Sequence, residues 1–404
     1  MPHQIYPAEM TDEELLKELM GRVQSFLPLL EGDEIPAMLR GLKLSAQEEL
    51  DELSRFTRRQ QELLDSIPAA DYEGLNHLHQ LLNQVEMERF LKFYSVPALH
   101  ENCTDYRDAL ARRALELVQD EMPTPPPLPF ALISMGSDGR EEQTLITDQD
   151  YLIVYADGGA EEADHYFREL SLILVERLAE AGFKKCTGDI MPSNEKWRGS
   201  LSQWMRRLLS IARYECEDYG KNLMDLIVIS DARYVAGDRE LAGELVTRIR
   251  ALEQDYFQAL WGMAKAATEM KLALGFLKRF WTEGSGEHKG EFNLKLLAWA
   301  PLVMNVRILA INQGIPATST VRRIELLEKE RSFSPNTARG LIEAYRILTK
   351  HRILLQIKVI KGIQSDAYYL NPYSLASDER EQMRHALLLI EDLQKIIHTN
   401  FSIM

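Results

Sequence analysis

The chain has 404 residues, 45% hydrophobic and 27% charged, an ordinary globular composition with length for two or three domains at about 150 residues each. Its 47 Lys and Arg stand against 62 Asp and Glu, a formal net charge of −15, which excludes bulk binding to nucleic acid or to an anionic membrane, because phosphate-driven affinity needs a cationic surface. Cys103, Cys186 and Cys216 are the three cysteines, too few and too scattered for a disulfide framework or a zinc cluster, and they fit a reducing cytosol. The N-terminal MPHQIYPAEMTDEELL has no basic segment leading into an apolar run, so no secretory signal is expected. The most apolar window, 296–311, contains Pro301, Asn305 and Arg307 and is shorter than a membrane span. The expected location is cytoplasmic.

Residues 11–120 read as helices. Thr11 with Glu14, and Ser45 with Glu48, have capping-box spacing ahead of apolar residues at helical period. The first of these helices would carry Leu15, Leu16, Leu19 and Val23 on one face. A further run, 75–94, repeats the pattern with Leu78, Leu81, Leu82 and Val85. His77 and His79 within it are two apart, point in different directions on a helix, and are read as surface or packing residues. Pro123, Pro125, Pro126, Pro127 and Pro129 then break the helical pattern and read as a stiff linker.

Beyond the prolines the pattern alternates. Residues 130–134 (FALIS) read as a short buried strand ahead of a glycine turn, and 147–155 (TDQDYLIVY) as a second strand. Residues 161–182 read as a helix with Leu170, Leu174 and Leu178 on one face, and 226–229 (LIVI) as a third strand. From about 255 the chain reads as helical to the end, interrupted by a glycine-rich loop at 281–290. Ser334-Pro335 and Asp378 with Glu381 mark helix starts. Met383, Leu387, Ile390, Leu393 and Ile397 form a stripe read as core. The expected fold is α+β: an N-terminal helical region at 1–122, a small mixed-sheet domain at 123–250, and an all-helical domain at 251–404.

The chemistry concentrates in 134–155. Asp148 and Asp150, two apart on an extended segment, project their carboxylates from one face. Paired carboxylates repel, and a divalent cation between them relieves the repulsion. Hard oxygen ligands in small number, with positions left for phosphates, suit Mg²⁺ or Mn²⁺. About ten residues upstream, Gly136-Ser137 ends a strand at a turn where backbone amides can approach a phosphate and a hydroxyl can donate to it. Arg140 adds a forked cation for phosphate oxygens. A phosphate-holding turn followed by a metal-binding carboxylate pair is the equipment of metal-assisted nucleotidyl transfer. Asp225 and Asp231 flank the 226–229 run and would share one face of a strand roughly 20 Å apart, so only one could join the pair. Position alone does not choose between them. The basic stretch 320–361 reads either as a solvated helix face or as a docking face for an acidic partner or a triphosphate tail.

Gly-Ser, then Arg-x-Glu-Gln, then Thr-Asp-Gln-Asp resembles the DNA polymerase β-like nucleotidyltransferase superfamily. More narrowly, the chain is similar to the branch that holds protein-PII uridylyltransferases and nucleotidyltransferases fused to CBS and cyclic-nucleotide-binding modules. The segment 186–194 with Trp197, Arg198 and Trp204, the segment 231–238, and Phe292 to Lys295, Pro301, Arg307, 320–323, Leu355-Gln356 and Asn371-Pro372 extend the likeness over residues 20–400. Asn293 stands where the family often has aspartate, and the CBS, cyclic-nucleotide, HD hydrolase and ligand-sensing modules are missing from the pattern. The resemblance implies a bacterial enzyme moving an NMP from an NTP to a hydroxyl, with a protein acceptor such as a tyrosine of a PII-like regulator. It favours Asp231 as third carboxylate beside Asp148 and Asp150, as metal ligand or base. It adds Gln143 and Lys295 to Gly136, Ser137 and Arg140 as nucleotide-binding residues. A non-catalytic nucleotide sensor and a small-molecule nucleotidyltransferase are the alternatives.

Overall fold

The structure is a computed structural model and describes residues 34–403. The helix expected after Thr11 lies outside the described residues. The chain opens with three helices, α1 (Glu34–Leu64), α2 (Tyr72–Phe93) and α3 (Val96–Glu121). Ser45 and Glu48 fall inside α1 and do not start it, since the helix already runs from Glu34. Asp71 caps α2 by accepting from the Gly74 amide at 2.9 Å, and Ser95 with Pro97 starts α3. His77 is exposed while His79 is buried against the Ala181 carbonyl and Arg107. The two histidines share no ligand.

The proline segment delivers the chain into β1 (Phe130–Ser134), and α4, a single turn at Gly136–Gly139, follows. The segment expected as one strand at 147–155 is split into β2 (Asp148–Gln149) and β3 (Tyr151–Tyr155), with Asp150 at the break. After α5 (Ala160–Glu180) come β4 (Lys184–Lys185), β5 (Arg198–Ser200) and α6 (Leu201–Ala212). The run LIVI is helical, not a strand: it ends α7 (Tyr219–Ile229), and the strand is the next segment, β6 (Arg233–Gly237). Leu223, Leu226 and Ile227 are buried at helical spacing, a pattern that a short apolar run cannot distinguish from a strand.

The main sheet has the order β5-β3-β1-β6, with β1 antiparallel to β3 and β6 and β3 parallel to β5. β2 and β4 form a separate parallel pair. Every residue of β1 and β3 is buried, as expected of central strands covered on both faces. Long α8 (Arg239–Asp255) packs along β1, β3 and β6, with α3 against β6 and α5.

The remainder is helical: α9 (Phe257–Thr268), α10 (Ala300–Asn312), α11 (Thr320–Lys329), α12 (Pro335–Ile360) and α13 (Ser377–Asn400), with a two-stranded β7 (Phe292–Asn293) and β8 (Tyr369–Leu370). The architecture is α+β. Ser334 caps α12 by accepting from the Thr337 amide at 3.1 Å. α13 begins one residue before Asp378, which sits in its first turn instead of capping it. All five residues of its apolar stripe are buried. Residues 295–312 reach the length and hydropathy of a membrane span among the described residues, but 72% of that window is buried inside the protein. It is a core helix.

Candidate active site

The glycine turn and the carboxylates meet because β1 and β3 are neighbours. Asp150 extends the ladder beyond Tyr151, its carbonyl accepting from the Met135 amide at 2.8 Å. That places the Asp150 carboxylate against Gly136, whose φ is +58° and where a Cβ would lie 2.6 Å from Asp150 Oδ2. Only glycine fits this close approach in a left-handed conformation. Among the described residues the Ser137 hydroxyl has no hydrogen-bond partner.

Asp150 carries the chemical signal. Its Oδ1 is buried and lacks any partner. Burial pushes its carboxyl up to about 6, opposed by a hydrogen bond from Cys186, and the neighbouring Asp148 and Asp138 add to the rise. An oxygen of this kind costs free energy unless something cationic meets it. Cys186 reaches it because β4 pairs with β2 just before the 186–194 loop, and the Tyr151 amide donates to Ile190 O at 3.3 Å. The thiol is a contact that motif spacing does not announce.

The C-terminal domain closes the other side. Lys295 begins a π-helical turn, 295–299, a distortion frequent at functional sites. Its Nζ lies 5.5 Å from the centre of the Tyr368 ring. Burial lowers its pKa and Arg352 adds to that, while Asp148 and Asp150 oppose it. Lys295 therefore stands within the electrostatic field of the carboxylate pair.

Three expected site residues are occupied elsewhere. Asp231 is fully buried at the end of α7. Its Oδ1 accepts from Arg307 Nε at 3.2 Å and Arg323 Nη1 at 3.0 Å, and its Oδ2 from Arg140 Nη1 at 2.6 Å and from Arg307 Nη2. Burial alone would raise the Asp231 carboxyl, but Arg307, Arg140 and Arg323 hold it below the ordinary value. Both oxygens are spent on guanidinium groups, so Asp231 has no lone pair turned to a metal. Asp225, on α7, instead lies 3.8 Å from Lys196 Nζ. Among the described residues no group of three or more His, Cys, Asp or Glu is arranged to hold a metal ion, so neither aspartate completes a triad with Asp148 and Asp150.

Arg140 pairs with Asp231 and with Glu142 at 2.8 Å and is only 4% exposed. Glu142 in turn accepts from the Thr320 amide at 2.6 Å. Gln143, 1% exposed, accepts from Arg107 at 3.0 Å, and its carbonyl meets His100 Nδ1 at 2.7 Å. Arg107 also donates to Thr144 O at 2.6 Å and Leu145 O at 3.2 Å, and Gln356 of α12 donates to Thr144 Oγ1 at 2.9 Å. The Arg-x-Glu-Gln segment thus ties the loop ahead of Asp148 to α3 and to the helical domain. It positions the carboxylates. Arg107 and Gln356 are positioning residues that carry no local motif, because their partners in this loop lie 36 and more residues away in sequence.

Glu253 on α8 adjoins this ionic cluster. It is 6% exposed and its Oε1 has no partner. Burial, against the pull of Arg323, raises its carboxyl from 4.5 to about 8. Between those two values the folded chain holds a proton that the unfolded chain has lost, so this group makes stability fall as pH rises through the window, by at most about 1.4 kcal/mol per pH unit. Melting curves at pH 5 and pH 8 should therefore separate wild type from Glu253→Gln, with the variant gaining on wild type at the higher pH. Parallel curves would show that Glu253 does not titrate there.

A cleft of about 650 Å³ lined by Tyr155, Asp164, Arg198, Gln203 and Arg207 among others opens at the far end of β3 from Asp150. It is separate from the place where the motif converges.

A small mixed sheet carrying a glycine turn and a carboxylate pair, closed over by a helical domain that brings cations, is the architecture of a nucleotidyltransferase. Two family profiles match the chain, one described as "Putative nucleotidyltransferase DUF294" over residues 77–218 and one as "Putative nucleotidyltransferase substrate binding domain" over residues 257–401. The chain belongs to this nucleotidyltransferase family, with the substrate-binding domain C-terminal to the catalytic one. No curated protein matches the sequence.

Proposed function

We propose that the protein is a metal-dependent nucleotidyltransferase that moves an NMP from an NTP to a hydroxyl of a PII-like regulatory protein and releases pyrophosphate. The observation that carries the metal dependence is Asp150 Oδ1, buried and partnerless beside a second carboxylate. Asp148 and Asp150 fit Mg²⁺ or Mn²⁺, which would supply charge neutralisation for the triphosphate and the developing oxyanion. Gly136 allows the backbone to approach a phosphate, and the free Ser137 hydroxyl donates to it. The acceptor oxygen bonds to the α-phosphorus as the bond to the bridging oxygen breaks, the bridging oxygen leaving with pyrophosphate and the hydroxyl proton passing to water. Asp231, Arg140 and Gln143 take no part in this contact set and hold the site's frame.

The protein acceptor rests on the likeness to PII uridylyltransferases and on apolar side chains beside Lys295. Leu296 is 55% exposed and Tyr368 44%, a rim of the kind protein partners bury. The unpaired Cys103, Cys186 and Cys216 suit a cytoplasmic setting. The test is label transfer from each of four α-labelled NTPs, with Mg²⁺ or Mn²⁺, into a host lysate resolved on a gel. A labelled band absent with the Asp148→Asn/Asp150→Asn double variant names the base and the acceptor's size. Label appearing only in small molecules would replace the protein acceptor by a metabolite, and no transfer at all would leave a nucleotide sensor.

A further inference from the structure

Arg352 on α12 is a partly buried cation that no carboxylate among the described residues pairs with directly. Its guanidinium lies over the Trp299 ring, Cζ 3.9 Å from the ring centre. Trp299 is itself fixed by donating from Nε1 to Thr349 Oγ1 at 3.1 Å. Among the described residues Arg352 forms no ion pair and no hydrogen bond. The contrast lies within the same domain: Arg307 and Arg323 also turn inward, and both bond to Asp231. Stacking holds a guanidinium by its face and leaves its N–H edge free in the ring plane, the edge that matches phosphate oxygens in a fork.

Lys295 stands beside it. Trp299 and Lys295 bound the same π-helical turn, and Lys295 likewise forms no ion pair with a described residue. Burial of both cations depresses them, Arg352 to about 10, and each is further lowered by a neighbouring cation. Two partly desolvated cations near one another are unfavourable without an anion, and Lys295 also lies within the electrostatic reach of the Asp148–Asp150 pair. A ligand that meets both must be anionic, and long enough to run from the carboxylates' cation to Arg352. A phosphate chain has that form.

We propose that Arg352, with Lys295, is the triphosphate clamp of this nucleotidyltransferase, supplied by the C-terminal helical domain. The clamp takes the phosphate-binding part that the sequence assigned to Arg140 and Gln143. It rests on the reading of Asp148 and Asp150 as the metal-binding pair. It also makes the helical domain a binder of the nucleotide, so that the NTP is held between the two domains.

The experiment is calorimetric titration of the full chain with inorganic triphosphate and with α,β-methylene analogues of the four NTPs, each with Mg²⁺. Wild type, Arg352→Gln, Arg352→Lys and Lys295→Gln are compared. A charge-assisted hydrogen bond is worth about 1.5–3 kcal/mol, so Arg352→Gln should weaken both probes by about 10- to 100-fold, with Arg352→Lys between it and wild type. Removing an unpaired cation should leave the melting temperature unchanged or raised. If Arg352→Gln does not fold, Lys295→Gln, at a partly buried position, carries the same comparison. Wild-type binding of an NTP analogue with Arg352→Gln and Lys295→Gln both within twofold would overturn the clamp and leave nucleotidyl transfer standing. Failure of wild type to bind any analogue would overturn nucleotidyl transfer, and the clamp with it.

Discussion

Asp148→Asn and Asp150→Asn should each lower nucleotidyl transfer by about a thousandfold or more, the several kcal/mol that a catalytic divalent cation contributes to its transition state. The fold should survive both. Asp150 Oδ1 has no partner to lose, and burial already pushes its carboxyl up to about 6. A neutral amide of the same shape removes a charge that the folded state holds at a cost, so Asp150→Asn should melt at or above the wild-type temperature at pH 7. Transfer rates measured beside melting curves separate the two readings of this aspartate. Lost activity with kept or raised stability marks a ligand, whereas lost stability would mean that the carboxylate is structural and that the metal pair is wrongly assigned.

Asp231→Asn should behave in the opposite way. The wild-type carboxylate is fully buried and receives hydrogen bonds from Arg140, Arg307 and Arg323. Arg140 and Asp231 come from the sheet domain, Arg307 and Arg323 from the helical domain, so the cluster joins the two. Neutralising its centre leaves three buried guanidinium groups with Glu142 as the remaining carboxylate in contact. Breaking a buried pair costs about 3–5 kcal/mol because the remaining charges stay buried and unpaired. Denaturant unfolding should show a loss of that size. Activity of the surviving folded fraction should fall far less than in the Asp148 and Asp150 variants. If Asp231→Asn kept full stability and lost all transfer, Asp231 would be a metal ligand after all, and the three arginines would have to turn away from it in the working enzyme.

These two aspartates also show how far the residues could be read unaided. The turn at Gly136-Ser137 and the pair at Asp148 and Asp150 belong to one local stretch, and a period of two places carboxylates on one face wherever that stretch is extended. Their convergence needs only that β1 and β3 be neighbours, although a helical turn and β2 lie between them in the chain. The third carboxylate was a different problem. The apolar run between Asp225 and Asp231 reads in sequence as a strand, but it is the end of α7, and the strand is Arg233–Gly237. A strand that begins with an arginine is hard to see in sequence. Arg233 is tolerated there because Asp108 binds it bidentately at 2.7 and 2.9 Å and Asp138 adds a third contact at 2.8 Å.

The directions taken by the cations depend on tertiary contacts for a related reason. Arg140 adjoins the glycine turn in sequence, but its side chain is drawn inward by Asp231 and Glu142. Arg352 is one of ten basic residues between 320 and 361, and nothing local distinguishes it from its neighbours. Its environment does so, through Trp299, which lies 53 residues upstream.

The sequence by itself determined the α+β class, the helical ends around a small sheet, the core stripe of the last helix, and the glycine turn with its carboxylate pair. Each of these is written in local periodicity, composition or spacing. The tertiary structure alone decided which charges are spent and which are free. Asp231 and Gln143 are consumed by partners between 36 and 92 residues distant, and Arg140 by Asp231 together with its near neighbour Glu142, while Asp150 Oδ1 has no hydrogen-bond partner and Lys295 and Arg352 form no ion pair among the described residues. Charge pairing in a buried cluster depends on which elements fold against one another, and no local pattern encodes that.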